Sequence, residues 1–241
     1  MTRVVAETAR MLCLANSDKH NGRCIAGIRL DQKHGQWLRP VGMSNEGELY
    51  PAQYRLPDLS DPEPWDILEI PLYETVSRKP HHPEDRRIAG TPWRLVERSA
   101  PTPDLLKVLE TACVSGPELF GGAEKRVLPN AVATRQNPAS LAIVRPLEAR
   151  FTVELDPQPS RAGEMPRFRH RVWFFLNGAI YELPLTDTRF KRRLRGFNVG
   201  SYALSEVGLP PGDKPYLVCS LGEPYNGYCY KLVATVLMPP G

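Results

Sequence analysis

A polar stretch near the start of the chain carries side chains suited to contacts with phosphate, sugar and base. Residues 16–23 read Asn-Ser-Asp-Lys-His-Asn-Gly-Arg and separate two apolar segments. Lys19 and Arg23 could pair with phosphate, and Ser17 could hydrogen-bond a base or a ribose. The same residue types also suit a hydrophilic hairpin loop whose side chains bond to their own backbone. The sequence leaves both interpretations open.

The segment Trp-Leu-Arg-Pro at residues 37–40 offers a second candidate contact. An exposed tryptophan is a stacking surface for a base, and a neighbouring arginine adds charge. Trp37 could equally fill the core of a small barrel. Arg39 is harder to explain as a core residue, because an unpaired buried charge is costly.

Near the end of the chain, three tyrosines fall within six residues, between Glu223 and Lys231. Aromatic rings beside polar and charged groups suit the recognition of a flat polar ligand. The candidate contacts in this segment are Glu223, Tyr225, Asn226, Tyr228, Tyr230 and Lys231. Strand alternation separates Cys229 from the two tyrosines beside it, so Cys229 is predicted to be a core residue rather than a nucleophile. Tyrosines packed next to a tight turn at a domain interface are the other interpretation.

Positive charge is concentrated in one part of the chain. Residues 161–195 contain nine basic and three acidic side chains, a balance of +6, whereas the whole chain carries +4. In a short helix over 186–194, Phe190 and Leu194 would face inward, four residues apart. The outward-facing candidates are Arg189, Arg192 and Arg193. Such a helix could hold a nucleic-acid backbone without reading its sequence, although a solvated basic face is an equally ordinary interpretation.

Metal and cofactor signatures are mostly missing. The sequence contains no Walker loop, no GxGxxG and no HExxH motif, and no two cysteines are separated by two residues. His81 and His82 could touch a metal together with Glu84 and Asp85, but a proline-rich, solvent-exposed loop is the favoured interpretation. We therefore predict no metal and no cofactor.

Covalent catalysis is not favoured either. Cys24 with His20 or His34 could form a nucleophile and its base. Cys24 begins an apolar strand, however, and there is no GxSxG motif. Whether the protein is an enzyme stays open at this point.

The proline content predicts short strands joined by irregular loops. Proline accounts for 25 of the 241 residues, and it interrupts both helix interiors and central strands. Long proline-rich loops are expected at 42–65, 78–103 and 156–166. Strands are expected at 10–16, 24–30, 36–41, 66–72, 141–144, 151–155, 167–176, 179–185, 216–221 and 228–237, and helices at 104–112 and 186–194.

This order of elements predicts a mainly β chain with two small barrels of the oligonucleotide/oligosaccharide-binding (OB) type. One or two short helices and the long proline-rich loops complete the fold class. We expect an N-terminal OB-like domain at 1–135 and a C-terminal OB-like domain at 136–241.

Two blocks near the ends of the chain resemble a known family when they are taken together. The first comprises Leu-Cys-Leu-Ala-Asn-Ser at 12–17, Gly-Arg-Cys-Ile-Ala-Gly at 22–27 and Trp-Leu-Arg-Pro-Val at 37–41. The second is Ser-Leu-Gly-Glu-Pro-Tyr-Asn-Gly-Tyr-Cys-Tyr-Lys-Leu-Val-Ala at 220–234. The pairing resembles the bacterial dual OB domain-containing proteins, which are linked to nucleic-acid modification or conflict systems. The resemblance implies two OB-like barrels and a connection with nucleic acid, but no settled active site.

The sequence thus favours a nucleic-acid-binding protein whose partner is single-stranded DNA or RNA. We expect an accessory or sensor role in a bacterial nucleic-acid modification or defence system. The alternative is an enzyme that acts on a nucleotide or a base in a pocket between the barrels. In that case Glu223 or Asp66 would be the acid or base, and Lys231, Lys19 or Arg39 would hold phosphate. A protein-interaction module is a third possibility.

Compartment and membrane association follow from composition. The five cysteines form an odd number, which is typical of a reducing compartment. No long apolar segment marks the start of the chain, and no apolar run reaches the roughly 20 residues that span a bilayer. We predict a cytoplasmic protein with no membrane partner, and the sequence does not predict an oligomeric state.

Overall fold

The computed structural model describes residues 5–32, 36–76, 79–98, 100–157, 166–210 and 214–238. His34 and most of the predicted loop at 156–166 lie outside these ranges. The described strands are β1 Val5–Lys19, β2 Gly22–Arg29, β3 Trp37–Val41, β4 Ile67–Val76, β5 Asp85–Ile88, β6 Arg94–Glu97, β7 Arg126–Val127, β8 Leu141–Val144, β9 Glu148–Leu155, β10 Phe168–Leu176, β11 Ala179–Pro184, β12 Gly200–Ala203, β13 Tyr216–Leu221 and β14 Cys229–Leu237. The described helices are α1 Pro51–Tyr54, α2 Pro103–Ala112, α3 Asn130–Ala133 and α4 Thr188–Arg193, with one 3-10 turn at Ser205–Val207. The prediction of a mainly β chain is confirmed.

The first half of the chain closes into a five-stranded barrel. Its strands follow the order β1-β2-β3-β5-β4, and β4 returns to pair with β1. The β3–β5 pair is parallel and the other pairs of the barrel are antiparallel. The short helix α1 lies between β3 and β4 in sequence, and β6 extends the sheet beyond β4. This is an OB-type barrel, as the order of strands and turns predicts.

The long first strand makes closure possible. Strand β1 pairs with β4 through one part of its length and with β2 through another. A bulge between Cys13 and Ala15 bends the strand where these pairings overlap. Opposite the bend, a Cβ on Gly27 would lie 2.0 Å from the carbonyl oxygen of Leu12. Only glycine fits at this crossing, which explains its presence in an otherwise apolar strand.

The second half repeats the order of elements without closing. Strands β9, β10 and β11 form a meander, helix α4 follows, and β12 pairs with β9. The last strand, β14, meets β11 through one parallel bridge between Leu185 and Val233. Its main partners are β13 and β7 instead. The result is a half-barrel, consistent with a second OB-like unit.

The predicted hairpin at Asn177-Gly178 is confirmed. Strands β10 and β11 pair in continuous register up to Leu176 and Ala179. Asn177 and Gly178 both have positive φ, at 42° and 95°. Left-handed backbone at both central positions matches the twist of the flanking strands, and Asn-Gly is the pair that adopts it at the lowest cost.

The prediction of a loop throughout 78–103 is wrong, because this segment contains β5 and β6. Strand β5 reads Asp-Arg-Arg-Ile, and a run of three charges does not have the alternation of a half-buried strand. Asp85 finds its partner, Arg39, inside the protein, as described below. The hydrophobic pattern was therefore uninformative here.

Three clusters of buried side chains form the core. One fills the first barrel and one fills the half-barrel. The third is shared: Leu12 and Ile28 of the barrel pack with Ile143, Tyr216 and Val218 of the later chain. Since this cluster crosses position 135, the two halves stabilise each other, and the division into domains 1–135 and 136–241 stays a prediction. No helix among the described residues is long and apolar enough to cross a bilayer.

Candidate functional site: a cleft where the two halves meet

A cleft of about 370 Å³ lies where the end of the β1–β2 hairpin meets the segment after β13. Ser17 and Lys19 line one side, and Glu223 and Tyr225 line the other, with Arg39 at its base. A larger cavity of about 690 Å³ lies against α1 and the chain after β5. That cavity contains none of the candidate residues, and its arginine, Arg55, already faces Asp61 at 3.6 Å. A third cavity of about 390 Å³ lies beside α4 and is lined by Arg189 and Arg193. The cleft of about 370 Å³ is the one in which candidate residues of both halves meet.

Two loops of the first barrel converge on this cleft. The β1–β2 connection supplies Lys19, and the β4–β5 connection supplies Lys79, His81 and His82. In OB barrels these two connections flank the ligand-binding face. The cleft thus occupies the end of the barrel at which a ligand is expected.

Glu223 is the point where these loops meet the second half. Its Oε1 accepts hydrogen bonds from Lys79 Nζ at 2.8 Å and Lys19 Nζ at 3.1 Å. Its Oε2 lies 3.0 Å from His81 Nε2. Burial opposes ionisation, but the contacts with His81, His82 and Lys79 outweigh it and hold the pKa of Glu223 well below its ordinary value. Glu223 is therefore a fixed carboxylate and a poor proton donor.

His82 lies deepest in this cluster. It is 1% exposed, and its Nε2 is 3.0 Å from the carbonyl oxygen of Leu221. Its Nδ1 faces Glu223 Oε1 at 3.4 Å and Asp85 Oδ2 at 3.9 Å. Burial and the nearby Arg39 cation lower the pKa of His82, which favours the neutral ring. The prediction of a solvent-exposed His81-His82 loop is wrong, since His81 is also only 8% exposed.

Arg39 is buried with two carboxylates around it. Its Nε donates to Asp85 Oδ1 at 2.5 Å, and its Nη2 lies 2.9 Å from Glu84 Oε1. Nη2 also donates to Ser140 Oγ at 3.1 Å, and Ser140 donates to Glu84 through both its backbone N–H and its hydroxyl. Burial acts to lower the pKa of Arg39, but Asp85 and Glu84 outweigh it and raise the pKa. A core arginine is tolerated here because the fold surrounds it with acids.

Ion pairs tie the hairpin end to helix α4. Asp18 accepts from Arg23 Nη1 at 2.5 Å and from Lys191 Nζ at 2.9 Å. Ser17 forms an isolated bridge with Asp187, the residue that precedes α4. Arg23 is thus paired with a carboxylate of the same hairpin, and its contact with phosphate stays a prediction.

Helix α4 has the predicted orientation. Asp187 caps it by accepting from the backbone N–H groups of Arg189 and Phe190, at 2.9 and 3.0 Å. Phe190 and Leu194 are buried. The guanidinium groups that face solvent are those of Arg189, Arg192, Arg193 and Arg195. Across the described ranges none of these four makes an ion pair with a carboxylate.

The tyrosine segment divides between the cleft and the surface beside it. Tyr225 is 68% exposed and lies 6.4 Å from the Tyr230 ring, centroid to centroid. The guanidinium of Arg126 covers the Tyr228 ring at 4.0 Å. Asn226 has a φ of 49° and forms the turn between Tyr225 and Tyr228. Cys229 is fully buried, which confirms that it is a core residue.

Lys231 and Trp37 are also absent from the cleft lining. Lys231 is 1% exposed, donates to the carbonyl oxygen of Gly122 at 2.6 Å and sits 5.3 Å from the Tyr181 ring. Burial lowers the pKa of Lys231 to about 8. Trp37 is half-buried and packs against the shared core, in line with its core interpretation. Direct ligand contact by either residue stays a prediction that its position does not favour.

The structure also adds residues that the sequence did not single out. Lys79 and Ser140 belong to the polar groups beneath the cleft. Their partners, Glu223 and Arg39, lie 144 and 101 residues away in sequence. The only local signal was the density of charge and histidine at residues 79–85, which the prolines there had suggested was a loop.

A closed OB-type barrel, a half-barrel of the same element order and a cleft between them define a protein with two OB-like units. In agreement, the family profile of the dual OB-containing domain matches residues 9–236. The chain belongs to this family. No curated protein and no solved structure matches it.

Proposed function

We propose that this protein binds single-stranded nucleic acid, DNA or RNA, with the strand's backbone along α4 and one base or nucleotide in the cleft. The observation that carries the proposal is that the surface of α4 is continuous with the cleft. Thr186 lines the cleft two residues before α4 begins. Lys191 of α4 also contacts Asp18, another residue of the cleft lining. A strand held on the helix therefore has a cavity within reach.

The charge on α4 is available to a polyanion. Because Arg189, Arg192 and Arg193 have no carboxylate partner among the described residues, phosphate binding breaks no existing ion pair. The favourable free energy of binding then comes from the release of counterions from the strand, and it does not depend on base identity. This supports capture of a backbone rather than recognition of a sequence.

The cleft supplies contacts of a different kind. Tyr225 presents an exposed ring at its rim, and stacking of one base on such a ring contributes about 1–3 kcal/mol. Ser17, Lys19 and Glu223 provide polar groups at its walls. A volume of about 370 Å³ falls in the range of sites for small ligands, so the cleft suits one nucleotide rather than a length of strand.

The proposed capture of the strand's backbone by α4 is tested by fluorescence anisotropy of labelled single-stranded DNA and RNA over a salt series. The double variant Arg192→Ala, Arg193→Ala should bind more weakly, with a salt slope smaller by about 1.4, at about 0.7 for each lost phosphate contact. The matched control is Arg94→Ala, Arg98→Ala, because these two arginines already face Glu69 and Asp58. No binding at low salt, or an equal loss in the control, would refute capture by α4.

The proposed binding of a base in the cleft is tested at high salt, where the electrostatic contribution of α4 to the affinity is small. Tyr225→Ala should lose about 1–3 kcal/mol of the remaining binding, whereas Tyr225→Phe keeps the ring and should retain it. Equal affinities of the two variants would remove Tyr225 from the site and leave only the basic helix.

An enzyme acting on a nucleotide or base is the second candidate, because the cleft joins the first and last blocks of the chain. Glu223 would act there as an electrostatic group rather than as an acid or a base, since its pKa is held well below its ordinary value. Asp66 does not line the cleft, and it is 1% exposed. Incubation with nucleotides and oligonucleotides, followed by mass spectrometry of the products, separates catalysis from binding.

We extend the proposal to a role as an accessory factor or sensor in a bacterial nucleic-acid modification or defence system, in the cytoplasm. A sensor of modification should bind modified and unmodified strands of one sequence with different affinities, and the anisotropy assay measures this directly.

A further inference from the structure

The His81, His82 and Glu223 side chains form a compact group of metal-ligand atoms beneath the cleft. One ligand atom from each of the three residues lies within 4.8 Å of the others. Both histidines are buried, and Glu223 is partly buried. The histidines come from the first barrel and the carboxylate comes from the second half, so the fold as a whole brings the three together.

The hydrogen bonding of His82 determines which nitrogen is free. A carbonyl oxygen only accepts hydrogen bonds, so the Nε2 that lies 3.0 Å from the Leu221 oxygen carries the ring proton. The lone pair of the neutral ring is then on Nδ1. This atom is buried and has no hydrogen-bond partner.

The surroundings of this nitrogen are electron-rich. Glu223 Oε1 lies 3.4 Å from it and Asp85 Oδ2 lies 3.9 Å from it. A buried acceptor nitrogen without a donor is costly, and a metal ion would supply the partner that His82 Nδ1 lacks. The N–H to backbone carbonyl bond on the opposite side of the ring is also the arrangement that orients histidine ligands in metal sites.

We propose that His81, His82 and Glu223 bind a divalent transition-metal ion of the zinc class beneath the cleft. Two imidazole nitrogens and one carboxylate oxygen are a ligand set that zinc accepts, with a fourth position left for water or a ligand. Magnesium and calcium prefer oxygen ligands alone, so they fit this set poorly. The ion goes beyond the proposed function, since capture of a strand by α4 does not require it.

Two lysines set the strength of the site. Lys19 and Lys79 both contact Glu223 Oε1, whereas Oε2 faces His81. The ion and the two ammonium groups therefore compete for one carboxylate. Removing Lys79 should strengthen ion binding, which a site assembled by chance from surface groups would not show.

The test is titration of the metal-free full-length protein with Zn²⁺, followed by calorimetry and by the histidine ring signals in NMR. We expect one equivalent to bind and to shift the His81 and His82 signals. His82→Gln and Glu223→Gln should each weaken binding by at least about tenfold. His20→Asn is the matched control, because His20 also contacts a carboxylate, Glu46, at the same cleft and should not matter.

Lys79→Met should bind Zn²⁺ more tightly than the natural chain, and it keeps the test informative if a ligand variant fails to fold. Circular dichroism and thermal unfolding identify such a failure. Absence of Zn²⁺ binding, or equal losses in His82→Gln and His20→Asn, overturns the proposal. Strand binding by the protein freed of metal with a chelator is measured separately by fluorescence anisotropy. If this protein binds single strands but does not bind Zn²⁺, the proposed metal site is refuted and the proposed strand binding is not.

Discussion

The two halves of the chain follow one order of elements but complete it differently. In the first half, β5 joins β3 in parallel, β4 joins β1, and the barrel closes. In the second half, the corresponding last strand is β14, and it meets β11 at a single bridge. The edges of β14 are taken by β13 and β7. The strand that would close the second barrel is therefore paired elsewhere.

This difference shows why the second half depends on the first. An open sheet has to bury its apolar face against another layer. Here Val218 of β13 and Ala234 of β14 pack against Leu12 and Ile28 of the closed barrel. The same contact brings Glu223, which follows β13, to the loops of the barrel. Incomplete closure and the cleft are two results of one arrangement.

Separating the halves tests this dependence most severely. The fragment 136–241 would lose the barrel partners of Ile143, Tyr216 and Val218, so we expect no cooperative unfolding transition from it alone. The fragment 1–135 should keep its barrel pairings, and co-expression of the two fragments should restore folding of both. Circular dichroism and amide NMR spectra of each fragment provide the measurement. A folded 136–241 fragment would contradict the dependence and support the predicted domain boundary.

Removing Arg39, the buried cation of the first half, should have the next largest effect on the stability of the protein. Arg39→Met leaves Glu84 and Asp85 buried without their partner, which costs about 3–5 kcal/mol of unfolding free energy. Arg94→Met removes an exposed pair with Glu69 and should cost at most about 1 kcal/mol. Denaturant unfolding of both variants gives the comparison. Similar small losses would mean that the Arg39 network is not needed for stability.

Lys231, the buried cation of the second half, differs from Arg39 because no carboxylate among the described residues forms an ion pair with it. Lys231 has a pKa of about 8 in the folded chain against an ordinary value of 10.5. Between these pH values the unfolded chain binds the proton and the folded chain does not, so stability rises with pH. Relative to Lys231→Met, the natural chain should gain about 1–3 kcal/mol from pH 8 to 10.5. Below pH 8 both states are protonated, and the difference should be constant.

Urea unfolding of the two chains across this pH range measures the effect. Cys219, whose pKa burial raises to about 12, titrates in the opposite sense, and the Lys231 charge acts to lower that pKa. Both chains therefore carry Cys219→Ala, which removes this contribution from the difference. A difference that does not change with pH would show that Lys231 stays protonated in the folded chain.

Local sequence predicted the elements whose pattern is complete within a few residues. The Asn177-Gly178 hairpin, the inward side of α4 and the buried Cys229 each follow from a turn signal or a periodicity. The charged strand β5 gave no such signal, because Asp85 and the preceding Glu84 meet Arg39 only after folding. His82 was misplaced for the same reason, since its partner Leu221 lies 139 residues further along the chain. Burial of a polar residue depends on tertiary partners, and one sequence does not reveal them.

The cleft is built from the two ends of the chain, and this has a consequence for its synthesis. Lys19 and Glu223, which face each other across it, are 204 residues apart in sequence. On the ribosome, the barrel strands emerge first, and Glu223 emerges only 204 residues after Lys19. Contacts of such long separation form late and slowly. A nascent or truncated chain can thus contain a finished barrel without a cleft, so the ability to bind a ligand there marks a chain in which both halves have folded.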